Sequence, residues 1–292
     1  TMSHEIRTPM NGILGMLELL NLSGLSTEQA RKISIAQSSA SSLLTIINDI
    51  LDFSKMDAGK LKFECIIFNL RELIDNCAES LALQAQEKSI ELIIDNTGIE
   101  SAQVMGDPNR IRQILMNLLG NAIKFTHKGE VSITSLLVLN KGHLEFSCAI
   151  RDTGIGVSFS KLGSLFNTFT QADTSTTREY GGTGLGLAIS KKLALLMNGN
   201  IIASSEKGLG SEFKMLLPLK SSNLKSTTKP KSNISNRQFL IIDKNISNQN
   251  LLKKQIEVWQ GTVHLGKDIA SSKKIIIDNK IDYLLIDSQN LN

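Results

Sequence analysis

Residues 3–22 carry Ile6, Met10, Ile13, Leu14, Leu17 and Leu20 at three-and-four spacing, which predicts a helix with one apolar face. Ser23-Gly24 follows as a turn, and Pro9 is expected to kink the helix it sits in. Ser26 then stands as an N-cap, with Gln29 three residues on completing a capping box. From there Ile33, Ala36, Ala40, Leu43, Leu44, Ile47, Ile50 and Leu51 keep the helical spacing to about Lys55. That predicts a second helix of roughly 30 residues, or ~45 Å. Two long helices and a short turn make a hairpin whose stripe is not fully covered by the rest of the chain. Pairing of two hairpins into a four-helix bundle, a homodimer, is the expected solution.

After Gly59 the period changes. KLKFECIIF (60–68) and ELIID (91–95) read as strands, with a helix from Asn69 to about Glu87 between them. Asp107-Pro108 reads as an N-cap with proline at the first helical position, opening a helix to about Phe125. EVSITSLLV (130–138) and HLEFSCAI (143–150) alternate with period two, as strands covered on one face do. A glycine-rich stretch, a helix near 184–197 and the strands NIIASS (200–205) and SEFKMLLPL (211–219) follow. The mixture predicts an α+β sandwich, one sheet under a helical layer. Residues 220–237 are polar and read as a linker. Beyond them strand, helix, strand, helix, strand predict the beginning of a parallel doubly wound fold. The expected domains are 1–62, 63–220 and 237–292, with a linker over 221–236.

At 292 residues, 41% hydrophobic and 21% charged, the chain has enough apolar content for packed cores, which excludes wholesale disorder. Cys65, Cys77 and Cys148 are scattered, which excludes a disulfide framework and suits a reducing compartment, and no CxxC supports a zinc site. No apolar run approaches the about 18 residues of a membrane span. Thr1 enters helical sequence at once and the chain stops soon after YLLID, so a longer parent is expected. The net charge of +4 raises a nucleic-acid reading, but 4% aromatics leave little to stack on bases. The charge is also local. Lys220, Lys225, Lys229, Lys231 and Arg237 sit in the linker with no acid, leaving 27 basic against 28 acidic residues elsewhere. A solvated tether is expected, and no nucleic-acid partner.

Candidate chemistry concentrates in three clusters. Asn117, Asn121 and Lys124 share one face of the helix after Pro108, beside the apolar face of Ile111, Leu115, Leu118 and Ala122. Two amides and an ammonium there offer oxygen ligands for Mg²⁺ and a charge for phosphate, although an amphipathic helix with a solvated polar face has the same pattern. RDTGIGVS puts Asp152 at a strand end, able to accept from an exocyclic amine such as adenine's, with Gly154 and Gly156 letting backbone approach a flat ring. GGTGLGLAIS runs Gly181, Gly182, Gly184 and Gly186 into a helix, a loop that presents N–H groups to phosphates. It lacks the Walker lysine, so an ordinary P-loop is not supported. His127, His143 and His264 have no ligand partner at metal spacing, and the methionines at 10, 16, 56, 105, 116 and 197 read as core or dimer seam.

The ordered set DPNRIRQILMNLLGNAIKFT, RDTGIGVS, LFNTFTQAD and GGTGLGLAISKKL resembles the N, G1, F and G2 boxes of the sensor histidine kinases, whose ATP-binding domain belongs to the GHKL superfamily. MSHEIRTPMNGILGM resembles the H box of the same family, and the tail resembles a receiver domain, so the whole resembles a fragment of a hybrid histidine kinase. The resemblance implies an α/β-sandwich ATP-binding domain after a dimerisation hairpin. It implies His4 as the phosphorylated residue, Glu5 as the group that accepts or orients its ring proton, and Thr8 as the residue that positions water for phosphatase activity. Asn121, supported by Asn117, would hold Mg²⁺; Lys124 would contact phosphate beside Phe125, and Asp152 would read the adenine amine. Gly154, Gly156, Gly182, Thr183, Gly184, Leu185 and Gly186 would shape the nucleotide loops, with Arg178 a phosphate contact in a lid over 163–180.

The tail departs from its family. LIIDKN keeps Asp243 but has Lys244 where a second acid belongs, and LLIDSQ offers Asp287 at the acceptor position. An ammonium there weakens Mg²⁺ binding, so a degenerate receiver is the preferred reading, with the phosphate passing to a receiver elsewhere in the protein or on a response regulator. The resemblance places this piece in the cytoplasm, with a parent anchored in the inner or plasma membrane upstream of residue 1. A GHKL ATPase of the chaperone or topoisomerase kind, and a non-catalytic ATP-binding scaffold, are the alternatives.

Overall fold

The computed structural model describes residues 2–99, 102–140, 143–168, 184–222 and 234–287; the side chains of residues 2–5 and 7 lie outside the description. Two compact units result: Thr1–Phe63 with Gly163–Leu196, and Glu64–Leu162 with Met197–Asn292.

In the first unit, α1 (Met2–Asn21) and α2 (Thr27–Asp57) form the expected hairpin. Gly24 takes φ +60° in the turn, where a residue without Cβ is unstrained. The capping box is present: Gln29 N–H donates to Ser26 Oγ at 3.3 Å, and Ser26 N–H donates to Gln29 Oε1 at 2.9 Å. Pro9 lies inside α1, which runs on through it. Met10 and Met56 are buried, whereas Ile13, Met16, Leu20, Leu43 and Ile50 remain exposed. A further helix, α6 (Gly186–Leu196), meets α2 through the Lys192–Asp57 ion pair at 2.9 Å.

The second unit is built on a sheet with strand order β1-β3-β7-β5-β4-β2 and β6 paired to β7. Its strands are β1 (Ile66–Asn69), β2 (Ile90–Gly98), β3 (Gln103–Gly106), β4 (Gly129–Asn140), β5 (His143–Asp152), β6 (Asn200–Glu206) and β7 (Gly210–Ser221). β4, β5 and β7 form the antiparallel centre, while β2 joins β4 in parallel. The period-two pattern is realised on β4, where Val131, Ile133, Ser135 and Leu137 are buried, and on β5, where Leu144, Phe146, Cys148 and Ile150 are. α3 (Leu70–Glu87) and α4 (Pro108–Phe125) supply the helical layer, capped by Asn69 and Asp107, and α5 (Phe159–Leu162) is a single turn.

One expectation is corrected here and one element was not foreseen. The strand foreseen over 60–68 is confined to Ile66–Asn69, because Glu64 N–H donates to the Asp107 carboxylate at 3.0 Å instead of entering a ladder. β3, four residues long, is too short to leave a period in the sequence.

In the tail, β8 (Gln238–Ile242), α7 (Ile246–Val258), β9 (Thr262–Gly266), α8 (Ile269–Asn279) and β10 (Tyr283–Ile286) follow in sequence. The strands are parallel in the order β10-β8-β9. That places the tail's first strand between its second and third, as at the start of a flavodoxin-like sheet. The core there is Phe239, Ile241 and Ile256, with Ile234, Leu252 and Val263 packed against it. The expected linker falls largely on residues 223–233, outside the described residues.

Candidate functional site

α4 begins where Asp107 accepts from the Asn109 and Arg110 N–H groups at 3.1 and 3.0 Å, with Pro108 filling a position that needs no donor. Its apolar stripe is fully buried, which aims Asn117 and Asn121 away from the core as a pair; Asn121 Nδ2 donates to Asn117 Oδ1 at 3.4 Å. Among the described residues no group of three or more His, Cys, Asp or Glu is placed to hold a metal ion. The donor set at this face is amide oxygen, hard and neutral, and it fits a hard cation such as Mg²⁺ that brings its own anionic phosphate ligands.

The C-terminal end of α4 is closed on every side. Ala122 O accepts from Thr126 N–H at 3.1 Å and Thr126 Oγ1 at 2.7 Å. Lys88 Nζ donates to Ile123 O and Lys124 O, both at 2.9 Å, and Ile155 N–H donates to Phe125 O at 3.2 Å. All four carbonyls that a helix end leaves without intrahelical partners are thus satisfied. Lys124 extends from this end, 5.1 Å above the Phe125 ring. Burial first, and the Lys88 charge second, draw its ammonium below the usual lysine range.

Asp152 closes β5 and is buried. Its Oδ1 accepts from Gly154 N–H at 2.8 Å and Ser211 N–H at 3.2 Å. Burial pushes this carboxyl up from the usual range, and the two N–H groups partly offset it by favouring the charged form. Two glycines here have steric duties. A Cβ at Gly154 would collide with Phe125 O, and one at Gly210, at φ +103°, with Asp152 O. Gly156 sits at φ +61° against Glu206 O, so the loop after Asp152 is backbone packed on backbone. The result is a buried carboxylate bracketed by α4's last turn and the β6–β7 turn, suited to reading a flat donor group.

In the first unit, His4 and Glu5 lie on α1 with side chains outside the description, and Thr8 is exposed one turn on. Gly184 takes φ +68°, Leu185 is buried, and Gly186 opens α6. Arg178, Gly181, Gly182 and Thr183 fall outside the described residues.

In the tail, Asp243, Lys244 and Asp287 line a cavity of about 540 Å³ at the carboxyl ends of β8 and β10. Both Asp243 oxygens are already used: Oδ1 accepts from Asn245 N–H at 2.7 Å and Oδ2 from Asn248 Nδ2 at 2.5 Å.

Sequence reasoning missed Ser211, Gly210 and Lys88. A polar residue after GLG marks the first two weakly, since such a turn occurs in any hairpin. Lys88, at the end of α3, has no sequence signal at all, because its carbonyl partners are 35 and 36 residues away.

Comparison with known proteins divides the chain by family, and the second match takes in residues of both compact units. Residues 1–59 match the His Kinase A (phospho-acceptor) domain, and residues 106–221 match the family of histidine kinase-, DNA gyrase B-, and HSP90-like ATPases. Sensor histidine kinase GacS of Pseudomonas protegens is 42% identical over 259 residues, which is 88% of this chain and 28% of that one. Autoinducer 2 sensor kinase/phosphatase LuxQ of Vibrio vulnificus is 35% identical over 296 residues, 99% of this chain and 34% of that protein. The crystal structure of full-length ShkA in complex with AMPPNP superimposes with a TM-score of 0.80 at 32% identity, covering 100% of this chain and 59% of that one. The chain thus spans about a third or less of the curated relatives it matches.

Proposed function

The chain belongs to the sensor histidine kinases, and on that premise we propose that it is the cytoplasmic catalytic part of a hybrid kinase that phosphorylates its own His4 from ATP. The observation that carries the proposal is the joining, in one chain, of a phospho-acceptor match over residues 1–59 that contains His4 and an ATPase match over residues 106–221. In this reading the dimerisation and phosphotransfer domain is 1–62, the ATP-binding domain 63–220, the linker 221–236, and 237–292 a degenerate receiver-like domain.

The reading gives each residue a role. The Asp152 carboxylate accepts from the adenine amine, and Gly154, Gly156, Gly182, Thr183, Gly184, Leu185 and Gly186 let backbone close on the nucleotide. Lys124, beside Phe125, and Arg178 hold phosphate oxygens. Asn121 and Asn117 would hold Mg²⁺, which when bound neutralises phosphate charge. A neutral His4 nitrogen attacks the γ-phosphorus in line, the bond to the ADP oxygen breaks, and Glu5 accepts the ring proton, leaving phosphohistidine and ADP. The phosphoryl group then passes to an aspartate carboxylate of a receiver, in the same protein or on a response regulator. Glu5 and Thr8, a helical turn apart, orient water for the reverse task of dephosphorylating that receiver. Two copies pair through the exposed stripe of α1 and α2. Among the described residues no helix is long and apolar enough to cross a membrane. In this reading a full-length parent is anchored through sequence upstream of residue 1.

Incubation with γ-labelled ATP and Mg²⁺ tests the proposal. Acid-labile, alkali-stable label that disappears in His4→Gln is expected. Label that survives the substitution overturns it, hydrolysis without label favours a GHKL ATPase, and binding with neither favours a scaffold.

A further inference from the structure

Within the second unit the tail touches the seven-stranded sheet at a point that leads straight to the Asp152 loop. Asn245 is the N-cap of α7, and its Nδ2 donates to Glu130 Oε2 at 3.0 Å. Ser247, in the first turn of the same helix, donates from Oγ to Glu130 Oε1 at 2.7 Å. Both oxygens of one carboxylate are therefore held at the positive end of a 13-residue helix, where negative charge is favoured. Further along α7, Lys254 Nζ reaches Asp95 Oδ2 of β2 at 2.6 Å, a second and independent anchor. The Asp95 carboxylate is itself fixed by Thr97, which donates to Oδ1 from its N–H at 3.0 Å. Although burial opposes it, the Lys254 and Thr97 bonds hold that carboxyl below the usual range.

Glu130 is gripped equally firmly from the other side. Thr153 N–H donates to Glu130 O at 3.1 Å, and Glu130 N–H donates to Thr153 Oγ1 at 3.0 Å. The preceding Gly129, at φ +116°, leaves room for that hydroxyl, which a Cβ would strike. Thr153 lies between Asp152 and Gly154, whose own N–H is bonded to the Asp152 carboxylate. A continuous chain of bonds thus runs from Asn245 and Ser247 through the Glu130 side chain and backbone to Thr153 and Asp152.

We infer that the N-terminal turn of α7 is a clasp that grips Glu130 and so preorganises the Asp152–Gly154 loop for a purine nucleotide. The inference rests on the nucleotide reading of that loop. A loop already held in its bound geometry loses less conformational freedom when a ligand arrives, so the clasp raises affinity without touching the nucleotide. Asp243 accepts from the N–H of Asn245 itself, so the acidic corner of the tail lies two residues from the clasp. The tail's place in the molecule is then as a positioning element of the nucleotide site, a role that needs no phosphorylation of Asp287.

The test is a mutant cycle on the full chain, with ADP binding followed by calorimetry. Glu130→Ala and the pair Asn245→Ala/Ser247→Ala are each expected to weaken ADP roughly 3- to 10-fold, and all three together no further, since they break one path. Lys254→Ala, cutting the second anchor, is expected to weaken ADP by a smaller factor. In phosphorylation assays the tail pair raises KM for ATP while kcat holds, the mark of a group that positions and does not react. Tail variants that bind ADP as the parent chain does, or more tightly, overturn the inference. So do effects of Glu130→Ala and the tail pair that multiply. A parent chain that binds no ADP overturns the nucleotide reading itself, a different failure.

Discussion

The hairpin helices and the helices over the sheet share one sequence period but not one fate. On α4, Leu118 and its neighbours along the stripe are removed from solvent entirely, Leu118 at 0% exposure. On α1 and α2 the corresponding stripe stays open within the single chain, with Ile13 at 50% and Met16 at 66%. The comparison teaches that helical periodicity reports an apolar face and not what covers it. For α4 the cover is a sheet from the same chain. For the hairpin it is the second copy proposed above.

The sharpest way to break that contrast is to substitute each stripe in turn. Leu118→Ala leaves a cavity in a closed core and is expected to cost about 4 kcal/mol, independent of protein concentration, in denaturant unfolding. A dependence on concentration would show that this core too relies on a partner. Ile13→Asp puts a charge into the proposed seam and is expected to cost about 3 kcal/mol of association, roughly 100-fold in the dimer dissociation constant, read by sedimentation. A parent chain that sediments as a monomer at all concentrations would end the dimer reading before the variant is made.

The smallest effect concerns a polar group that marks the same boundary. Asp49, on α2, is pushed up to about 6, by burial first and the Asp52 charge second. Its ionised form is disfavoured in the folded state, so between about pH 6 and pH 4 the folded chain binds a proton that the unfolded chain does not. Stability of this unit therefore rises as pH falls through that window and is lower at neutral pH. Asp49→Asn is expected to flatten this slope and to add about 1 kcal/mol at pH 7, a figure reduced for the partial exposure of the side chain. A slope that survives the substitution would assign it to another group.

Much of the candidate site was legible because its signals are local. Asp107-Pro108 announces a helix start, Asn117 and Asn121 share a face by spacing alone, and Ser26 with Gln29 forms its capping box within four residues. Gly154 and Gly156 announce a close approach of backbone, though not what approaches. The strand misjudged over 60–68 shows the limit: its residues have β propensity, but Glu64 finds Asp107, 43 residues away, and leaves the ladder.

By itself, then, the sequence determined the long helices and the long strands, which face of each is apolar, and which residue types stand at the ends of α4 and β5, since each follows from contacts within a few residues. Only the tertiary structure decided who closes those ends. Lys88 takes two of the last carbonyls of α4, Ser211 the Asp152 carboxylate, and Asn245 with Ser247 the Glu130 side chain, 115 and 117 residues distant. No period or cap encodes such pairs. They exist because buried polar groups must find partners wherever the fold brings them.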